Sequence, residues 1–527
     1  MKHTIFLFIL ATFTLALDLK IEKNWNLIGA TEDIKVSSFK KECIDSVWTY
    51  ENNGWKTYSY GNEKYPTISL ISKGQGFWAH SSNGNCKLTI FSKELIIPPL
   101  LEPQEINGIK NFNLTIKESK HSFFESKETA TLAFNGTYLG PTIRVVNGEK
   151  ISINYTNTLA ETTTVHGHGM HVPAKMDGGP HQKIEPSKTW SASYTVNQVA
   201  STNWYHPHLM GKTAEHVYKG LAGLIIVDDN ESKTLGLPVE YGLDDIPLVL
   251  QDRFFDSNYQ FNYNPTTQQI MHGYNGDVFI TNGVIEPYFN TKAKKVRFRI
   301  LNGSNSSVYK LAFDNNKEFH QIATDGSFLP NPVKLTSLIL SPGERAEIIV
   351  DFSLDLGKKI VFKELNYNKI FLTINVTSHA SYKSSLPNKL TTLKVYDHKK
   401  AVNTRTFRLA GRMGILTING KTMDMSVINE KVPLNQIEIW EVYNDMGMEH
   451  NFHIHATHFM IIERNGDALK VAENEKGYKD VVYIPPRESV KFLVKMVDYK
   501  DEKLPYMYHC HFLEHEDAGM MGQFIVE

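Results

Sequence analysis

Short runs of alternating apolar and polar residues recur along the chain, separated by Gly, Asn and Pro. This period of two is typical of half-buried β-strands, and no long heptad or helical repeat appears. One such run, 151–155, follows Asn147-Gly148 and the apolar run 143–146. Because Asn-Gly between two strand-like runs favours a tight turn, we predict a β-hairpin here. The pattern as a whole indicates an all-β protein.

The first residues depart from this pattern. A charged start, Met1-Lys2-His3, precedes an apolar run from Ile5 to Leu17 that contains small residues near Ala16. This arrangement is typical of a cleaved secretory signal, and the run is short for a membrane span. An uncleaved anchor is the alternative. We predict a signal peptide over residues 1–17, a periplasmic or secreted protein, and no membrane span after cleavage.

Residues 18–97 are interpreted as a small N-terminal β domain, followed by a stiff Pro-rich linker, 98–103. Aromatic residues at the density found here build a small core more often than a ligand platform. Cys43 and Cys86 also fall in this segment, and an exported chain favours a disulfide between them over two buried thiols. No chemical motif is present, so no role is predicted. The segment carries four of the seven tryptophans: Trp25, Trp48, Trp55 and Trp78.

The remaining length divides at polar stretches. We predict domains over residues 104–233, 237–378 and 401–527, with a Lys/Ser-rich linker or surface loop over 379–402. The middle domain has strand and turn signals but no paired histidines, so we interpret it as a structural spacer. The 527-residue chain carries 56 Lys and Arg against 57 Asp and Glu. This balance gives no basic field for nucleic acid or an anionic membrane.

The C-terminal stretch 508–521 concentrates soft metal ligands. It contains Cys510, the histidines 509, 511 and 515, and Met520 and Met521. Two His, one Cys and a weakly held Met form the ligand set of a blue copper centre, and Cys510, His515 and Met520 supply three of the four. His450 is available as the fourth ligand. A core thiol beside hydrogen-bonded histidines is the alternative, but soft ligands rarely cluster in this way without a metal.

Histidine pairs separated by one residue occur in four places. Residues two apart share one face of a strand, so each pair presents two imidazoles together. By the same alternation His509 and His511 point away from Cys510, and the tripeptide can bridge two metal sites with its backbone as the electron path. Eight imidazoles suit three copper ions between two domains. The pairs are His166 and His168, His206 and His208, His453 and His455, and His509 and His511.

With these motifs in this order, the chain resembles the multicopper oxidases over about residues 104–527. The stretches 513–517 and 519–521 carry much of the likeness to bacterial laccases and cuprous oxidases, and 251–253, 323–326 and 342–345 match in the middle domain. The resemblance implies three cupredoxin-like Greek-key β-sandwich domains besides the N-terminal one. It also implies four Cu ions, namely one type 1, one type 2 and a binuclear type 3 pair.

The resemblance also assigns the ligands and two acids. Asp177 and Glu516 match family positions that deliver protons; their alternative roles are a turn acid and a capping acid. Gly167 stands where the family often has Trp, and Asn451 where it usually has Pro; neither is a ligand, so we expect effects on packing or access only. The type 1 ligands are His450, Cys510, His515 and Met520, the type 2 ligands His166 and His453, and the type 3 ligands His168, His206, His208, His455, His509 and His511.

The implied activity is that of a copper-dependent oxidoreductase with dioxygen as acceptor, and we expect the chain to be a monomer. It would couple one-electron oxidation of a small reducing substrate to four-electron reduction of O2 to water. Asp445, Met446 and Met448 precede His450 and form a candidate Cu(I) substrate site, because Cu(I) prefers thioethers. Methionines also fill gaps in cores, and a phenolic or aromatic donor is the alternative. A non-catalytic copper-binding or scaffold protein is the rival class, but the ligand set here is complete.

Overall fold

The computed structural model describes most of the chain. The predicted signal peptide lies outside the described residues except for Leu17. The chain forms two compact units, residues 1–93 and 94–527. The described residues are 17–21, 23–29, 34–35, 43–51, 54–59, 68, 70–71, 75–82, 86–90 and 93–527, the last without 125, 381–385 and 413.

The N-terminal unit contains a four-stranded antiparallel sheet in the order β2-β7-β4-β5, with β1 paired to β8 and β3 to β6. One face of the larger sheet packs on a small core that includes Val47, Phe77 and Ala79. Cys43 is disulfide-bonded, as an exported chain favours. The strands are β1 (Leu17–Ile21), β2 (Asn24–Gly29), β3 (Ile34–Lys35), β4 (Ser46–Glu51), β5 (Gly54–Ser59), β6 (Leu70–Ile71), β7 (Gly76–Ser81) and β8 (Cys86–Ile90).

The tryptophans of this unit do not build its core, and that interpretation of the sequence was wrong. Trp25 and Trp55 are each about half exposed and Trp78 is 39% exposed. The strand register pairs Trp48 with Trp78, so both lie on the face opposite Phe77 and Ala79. Ile, Val, Phe and Ala residues are sufficient to fill the small interior, which leaves the larger rings on the other face.

The second unit begins with a β-sandwich. One sheet has the order β11-β10-β13-β15, with β9 on β10, and the other has the order β12-β17-β16-β14. The two sheets enclose one apolar core. Its elements are β9 (Gln104–Ile106), β10 (Ile109–His121), β11 (Thr129–Phe134), β12 (Ile143–Val146), β13 (Lys150–Asn157), β14 (His166–His168), β15 (Thr189–Thr195), β16 (Ser201–His206), helix α1 (Thr213–Tyr218) and β17 (Gly223–Asp228), with a 3-10 turn at Ala174–Met176.

Strands β12 and β13 exist, but the predicted hairpin between them is wrong. β12 pairs in parallel with β17, and β13 pairs with β10 and β15 in the opposite sheet. Asn147-Gly148 still turns the chain, since Glu149 N donates to Val146 O over 3.0 Å. The turn therefore carries the chain from one layer of the sandwich to the other.

A second sandwich has a seven-stranded sheet, β20-β19-β18-β22-β27-β24-β25, packed on the sheet β21-β29-β28-β23-β26. Its elements are β18 (Asp245–Arg253), α2 (Thr267–His272), β19 (Val278–Thr281), β20 (Val284–Ile285), β21 (Tyr288–Ala293), β22 (Lys295–Asn302), β23 (Tyr309–Phe313), β24 (Phe319–Ala323), β25 (Phe328–Leu335), β26 (Ser337–Leu340), β27 (Arg345–Asp351), β28 (Lys359–Glu364) and β29 (Lys369–His379), with 3-10 turns at Ser232–Thr234 and Asp314–Asn316.

The segment before the first sandwich belongs to the second unit. Leu95 is buried in the core of the second sandwich, and Ile97 packs against that core. Tyr241 donates a hydrogen bond to Pro98 O over 2.7 Å. Residues 94–97, which the sequence analysis placed in the N-terminal domain, therefore form part of the larger unit.

A third sandwich pairs the sheet β31-β30-β33-β37-β35 with the sheet β32-β39-β38-β34-β36 around one core. Its elements are β30 (Asn403–Arg412), β31 (Ile415–Ile418), β32 (Glu430–Val432), β33 (Glu438–Asn444), β34 (His450–Ile454), β35 (Met460–Arg464), β36 (Val481–Ile484), β37 (Ser489–Val494), β38 (Asp501–His509), α3 (Leu513–Asp517) and β39 (Met521–Val526), with 3-10 turns at His398–Lys400, Ala468–Lys470 and Glu473–Glu475. Among the described residues, no helix is long and apolar enough to cross a membrane.

Candidate metal centres

Two histidine pairs lie at one end of the first sandwich. In β14, His166 and His168 are both buried on the same face, as the period of two predicts. β14 pairs with β16 so that His166 lies opposite His206. His208 follows two residues later and is also buried. One edge of this domain therefore presents four imidazoles together.

The third sandwich supplies four more buried imidazoles. β34 and β38 are neighbours, and His453 lies opposite His509. His455 and His511 follow the ends of these strands, and both are fully buried. The two sets of four stack on each other, with ring centroids 3.8 Å apart for His166 and His455. The same separation holds for His168 and His453. The imidazoles thus meet between the first and third sandwiches.

Within this cluster the ring nitrogens form groups of three. The Nε2 atoms of His208, His455 and His509 are 3.1 to 3.3 Å from one another. A second group joins His168, His206 and His511, and a third includes His166 and His453. A triangle of imidazole lone pairs at this separation is a poor hydrogen-bonding arrangement but a good set of ligands for one cation.

Backbone carbonyls fix which nitrogen each ring turns inward. Nδ1 of His166 donates to Asp177 O over 2.7 Å, and Nδ1 of His453 donates to Asp480 O over 2.8 Å. The Nε2 atoms of these two rings have no hydrogen-bond partner among the described residues. An unsatisfied buried nitrogen costs about 1 to 3 kcal/mol. A metal ion bound to each Nε2 atom removes that cost.

Asp480 and Arg345 support the cluster from behind. Asp480 Oδ1 accepts from His168 Nε2 over 3.0 Å, which leaves His168 Nδ1 as the ligand atom. Arg345 holds the same carboxylate through two hydrogen bonds of 2.6 Å. Burial raises the pKa of Asp480, and the Arg345 charge opposes that shift. A carboxylate behind a ligand histidine fixes its tautomer and orientation.

Gly169 allows this support to come close. Its φ is +82°, and a Cβ atom there would lie 2.4 Å from Asn203 Oδ1 and 2.6 Å from Arg345 Nη2. Any larger residue would displace the arginine that holds Asp480. The glycine after His168 therefore shapes the candidate metal site even though it offers no ligand.

Asp177 and Glu516 each touch two of the imidazoles. Asp177 Oδ2 accepts from His455 Nδ1 over 2.7 Å, and its Oδ1 has no partner among the described residues. The carboxylate of Glu516 lies 3.3 Å from His208 Nδ1 and 3.2 Å from His509 Nδ1. Burial raises the pKa of both acids well above its ordinary range. Neither acid is the surface or capping residue of the alternative interpretation.

A second constellation surrounds Cys510. Its Sγ atom is 3.4 Å from His450 Nδ1 and 3.6 Å from His515 Nδ1. Met520 is fully buried in the same core, and its carbonyl accepts from Cys510 N over 3.2 Å. His515 lies in α3, so the connection after Cys510 contains a short helix. Burial raises the pKa of the thiol to about 12, a cost that metal coordination overcomes by binding the thiolate.

The predicted substrate residues lie beside this constellation but not in one arrangement. The sulfur of Met446 is 3.2 Å from His450 Nε2, the nitrogen that faces away from Cys510. Met448 is partly buried against the same core. Asp445 pairs with Arg408 at 3.0 Å on the surface, and its carbonyl accepts from Arg487. Only Met446 is therefore shown in contact with a candidate ligand.

The imidazoles are all held neutral. Burial lowers the pKa of His166 and of His515 to about 4. Burial also lowers the pKa of the other ligand histidines well below its ordinary value, and the neighbouring imidazoles add to that shift. A neutral imidazole is the form that binds a metal ion. The buried nitrogens, the thiol and the carboxylates behind them thus fit copper, whose ligands are imidazole and soft sulfur.

Sequence reasoning missed Asp480 and underestimated Asn451. Asn451 Oδ1 accepts from His511 N over 2.6 Å and lies 3.7 Å from Cys510 Sγ, which donates to it. Its Nδ2 donates to Pro342 O over 2.8 Å. Asn451 therefore fixes the Cys510-His511 segment directly, an effect beyond general packing. The signal for Asn451 was its occurrence where related chains usually have proline. Asp480 is a single acid before β36, and nothing in the sequence around it indicated a role in the site.

Comparison with known proteins agrees with the fold. Family models described as multicopper oxidase match residues 115–232, 257–368 and 385–527. A multicopper oxidase of Staphylococcus haemolyticus is 38% identical over 438 residues, 82% of this chain and 92% of the relative. A cell division protein FtsP of Dickeya dadantii is 32% identical over 450 residues, with the same coverage.

A solved structure gives the same architecture. The laccase-like multicopper oxidase CueO of Ochrobactrum sp. has a TM-score of 0.76 and 35% identity, covering 82% of this chain and all of that one. The sandwiches of residues 94–527 are thus cupredoxin-like, the domain type of the multicopper oxidases. The chain belongs to the multicopper oxidase family.

Proposed function

We propose that this protein is an exported, monomeric oxidase that oxidises a small donor one electron at a time and reduces dioxygen to water. The observation that carries the proposal is the segment 509–511. Cys510 belongs to one constellation, while His509 and His511 belong to two of the imidazole groups of the other. The backbone on either side of Cys510 therefore joins the two sites by covalent bonds alone.

Each donor set has a role in this proposal. Copper held by the Cys510 constellation would supply one-electron redox chemistry, and copper held by the imidazole cluster would supply four-electron reduction of dioxygen. His450, Cys510, His515 and Met520 would hold the type 1 ion, and His166 and His453 the type 2 ion. The type 3 pair would be held by the remaining histidines, His168, His206 and His511 on one side and His208, His455 and His509 on the other.

The protein contributes separation and protons. All of these side chains are buried, which keeps bulk water away from the proposed metal sites. Asp177 and Glu516 contact ligand imidazoles from outside the metal groups. From these positions they hold and pass protons toward the cluster. Export agrees with the disulfide at Cys43, because disulfides persist in oxidising compartments.

Copper analysis and oxygen uptake test the proposal together. We expect four copper ions per chain, an intense blue colour, and oxygen consumption with a reducing donor. The rival is a non-catalytic copper-binding or scaffold protein. The similarity to a protein named for cell division supports this rival. Stoichiometric copper without oxygen uptake would indicate storage, and a folded chain that takes up no copper would indicate a scaffold.

Two single variants, Asp177→Asn and Glu516→Gln, should each keep nearly all of their copper and reduce dioxygen more slowly. The amides keep the shape and lose the proton, and general acid catalysis contributes about 10²- to 10⁴-fold. Stopped-flow reoxidation of the reduced enzyme measures the effect. Glu161→Gln, which changes a half-exposed acid near His216, serves as the control. Unchanged reoxidation in both test variants would return these acids to a structural role.

The donor is proposed to be Cu(I) or a phenolic or aromatic molecule. The Met446 sulfur on the outward nitrogen of His450 supports Cu(I), since Cu(I) prefers thioethers. Arg408 and Arg487 beside Asp445 partly offset the attraction of its carboxylate for a cation. An organic donor is supported by the similar laccase-like oxidase, whose title describes activity towards lignin model compounds.

The double variant Met446→Leu/Met448→Leu separates these donors. Leucine keeps the volume and removes the sulfur, so we expect an apparent KM for Cu(I) that rises about tenfold, with colour and phenol oxidation retained. Oxygen uptake with each donor gives the measurement. Met496→Leu, a substitution in the same core, is the matched control. Equal changes for both donors, or none, would show that these methionines only fill space.

A further inference from the structure

The open face of the N-terminal sheet carries aromatic rings that no part of its core uses. The register across β2, β7, β4 and β5 places Trp25, Trp78, Trp48 and Trp55 on this face, with Tyr50 opposite Trp55. Trp55 and Tyr50 are each 55% exposed. Large aromatic side chains left in water on one face are costly to the fold and mark an interaction site.

The rings form a row across the strands. Trp25 and Trp48 have centroids 6.5 Å apart, and Trp48 and Trp55 6.4 Å apart. The planes of neighbouring rings meet at 79° and 66°, so the row is ridged and not a smooth apolar surface. The spacing is comparable to the length of one pyranose ring. Because neighbouring rings stand edge to face, the alternate indoles Trp25 and Trp55 are the ones that can offer their faces to units of a repeating ligand.

A fixed polar group stands beside the row. The His80 ring lies 4.8 Å from Trp25, and its Nδ1 donates to Asp45 Oδ1 over 2.6 Å. Asp45 is itself held by Ser82, whose N and Oγ donate to Oδ2 over 2.8 and 2.5 Å. This leaves His80 Nε2 as an acceptor with no partner among the described residues. It is positioned to accept a hydrogen bond from a ligand hydroxyl at the edge of an indole.

The charge of this face restricts the class of ligand. The described strand positions on it, from Trp25 on β2 to Thr57 on β5, carry no Lys, Arg, Asp or Glu. Single-stranded nucleic acids need a positively charged groove beside the stacking rings, and anionic lipids need clustered basic residues. An uncharged ligand with apolar C–H faces and hydroxyl edges matches the rings and His80 together. Neutral sugars have this chemistry.

We propose that this face binds a neutral polysaccharide whose pyranose rings stack on Trp25 and Trp55, on either side of Trp48, with a hydroxyl donating to His80 Nε2. The site recognises a chain of sugars, because the row of indoles is longer than one ring. The binding tethers the protein to an insoluble glycan surface. It is independent of the copper sites, none of whose ligands lies in this unit.

Full-length, copper-loaded protein tests the proposal with cellohexaose and chitohexaose as probes in isothermal titration calorimetry, and with cellulose and chitin in pull-down assays. We expect saturable binding to at least one of these glycans. Trp25→Ala and Trp55→Ala should each weaken it about fivefold to tenfold, and Trp55→Phe should weaken it less. Leu469→Ala removes an apolar side chain that is 94% exposed in the other unit, and should change nothing.

Copper content and oxygen uptake of every variant should match the parent protein, which separates this test from that of the proposed oxidase. A protein that fails to oxidise any donor yet binds glycan supports the platform and contradicts only the oxidase. The proposal is overturned if none of the four glycans binds, or if the tryptophan variants bind glycan as tightly as the parent protein. It is also overturned by a proline-rich peptide or phosphatidylcholine vesicles that bind where the glycans do not.

Discussion

Replacing Cys510 by serine is expected to remove the blue colour of the copper-loaded protein and to abolish oxidation of every donor. Colour arises from charge transfer between a thiolate and copper, and a hydroxyl does not supply it. The same side chain joins the donor site to the imidazole cluster, since Cys510 lies between His509 and His511 in the chain. Loss of turnover should therefore exceed about 10³-fold, whichever donor is used.

Visible absorption, copper analysis and oxygen uptake check this result. The serine variant should keep the copper held by the eight paired histidines, because Asn451 still fixes His511 through its backbone N–H. That residual copper is the internal control for folding. A variant that stays blue would show that the thiol is not a ligand, and the assignment of the whole 508–521 stretch would be wrong.

Arg345→Met is expected to destabilise the protein by about 3 to 5 kcal/mol and to release copper from the imidazole cluster. Removing one partner of a buried ion pair leaves the other charge without compensation. Here the remaining partner is Asp480, which orients His168 and, through its carbonyl, His453. Loss of such a supporting group typically costs 10- to 100-fold in metal affinity.

The second sandwich offers a matched control, Arg299→Met. Arg299 is 1% exposed and binds Asp245 and Glu347, neither of which touches a ligand histidine. This variant should lose comparable stability in guanidinium titrations and keep its copper. If Arg345→Met retains all of its copper under native conditions, the arginine supports the fold alone and Asp480 does not need it to orient the ligands.

The histidine pairs could be placed from sequence because their spacing equals the strand period. His166 and His168 share a face in any strand, and only the partner strand had to be found. Asp480 could not be placed in this way. It is 312 residues from His168, stands alone, and acquires its role only when β36 comes to lie beside β34. Long-range pairing of this kind leaves no local period in the sequence.

The tryptophan-bearing face of the N-terminal sheet shows a different limit of prediction from sequence. In β7 the sequence Phe77-Trp78-Ala79-His80 has apolar residues in both alternating sets, so the period of two does not say which set faces the core. Volume decides, because the small interior accommodates Phe77 and Ala79. Asn147-Gly148 likewise predicts a turn but not the pairing of the strands on either side of it, because β12 and β13 each pair with a strand that is distant in sequence.

The two halves of the imidazole cluster lie far apart in the chain, with His208 and His509 separated by 301 residues. An ion bound by both would close a loop that contains the entire second sandwich. A link across so long a stretch restricts an unfolded chain by about 5 to 6 kcal/mol on chain-entropy grounds. In the proposed holoprotein copper is therefore also a reversible cross-link between the first and third sandwiches. Scarcity of the metal would then shorten the lifetime of the folded chain as well as abolish the proposed oxidase activity.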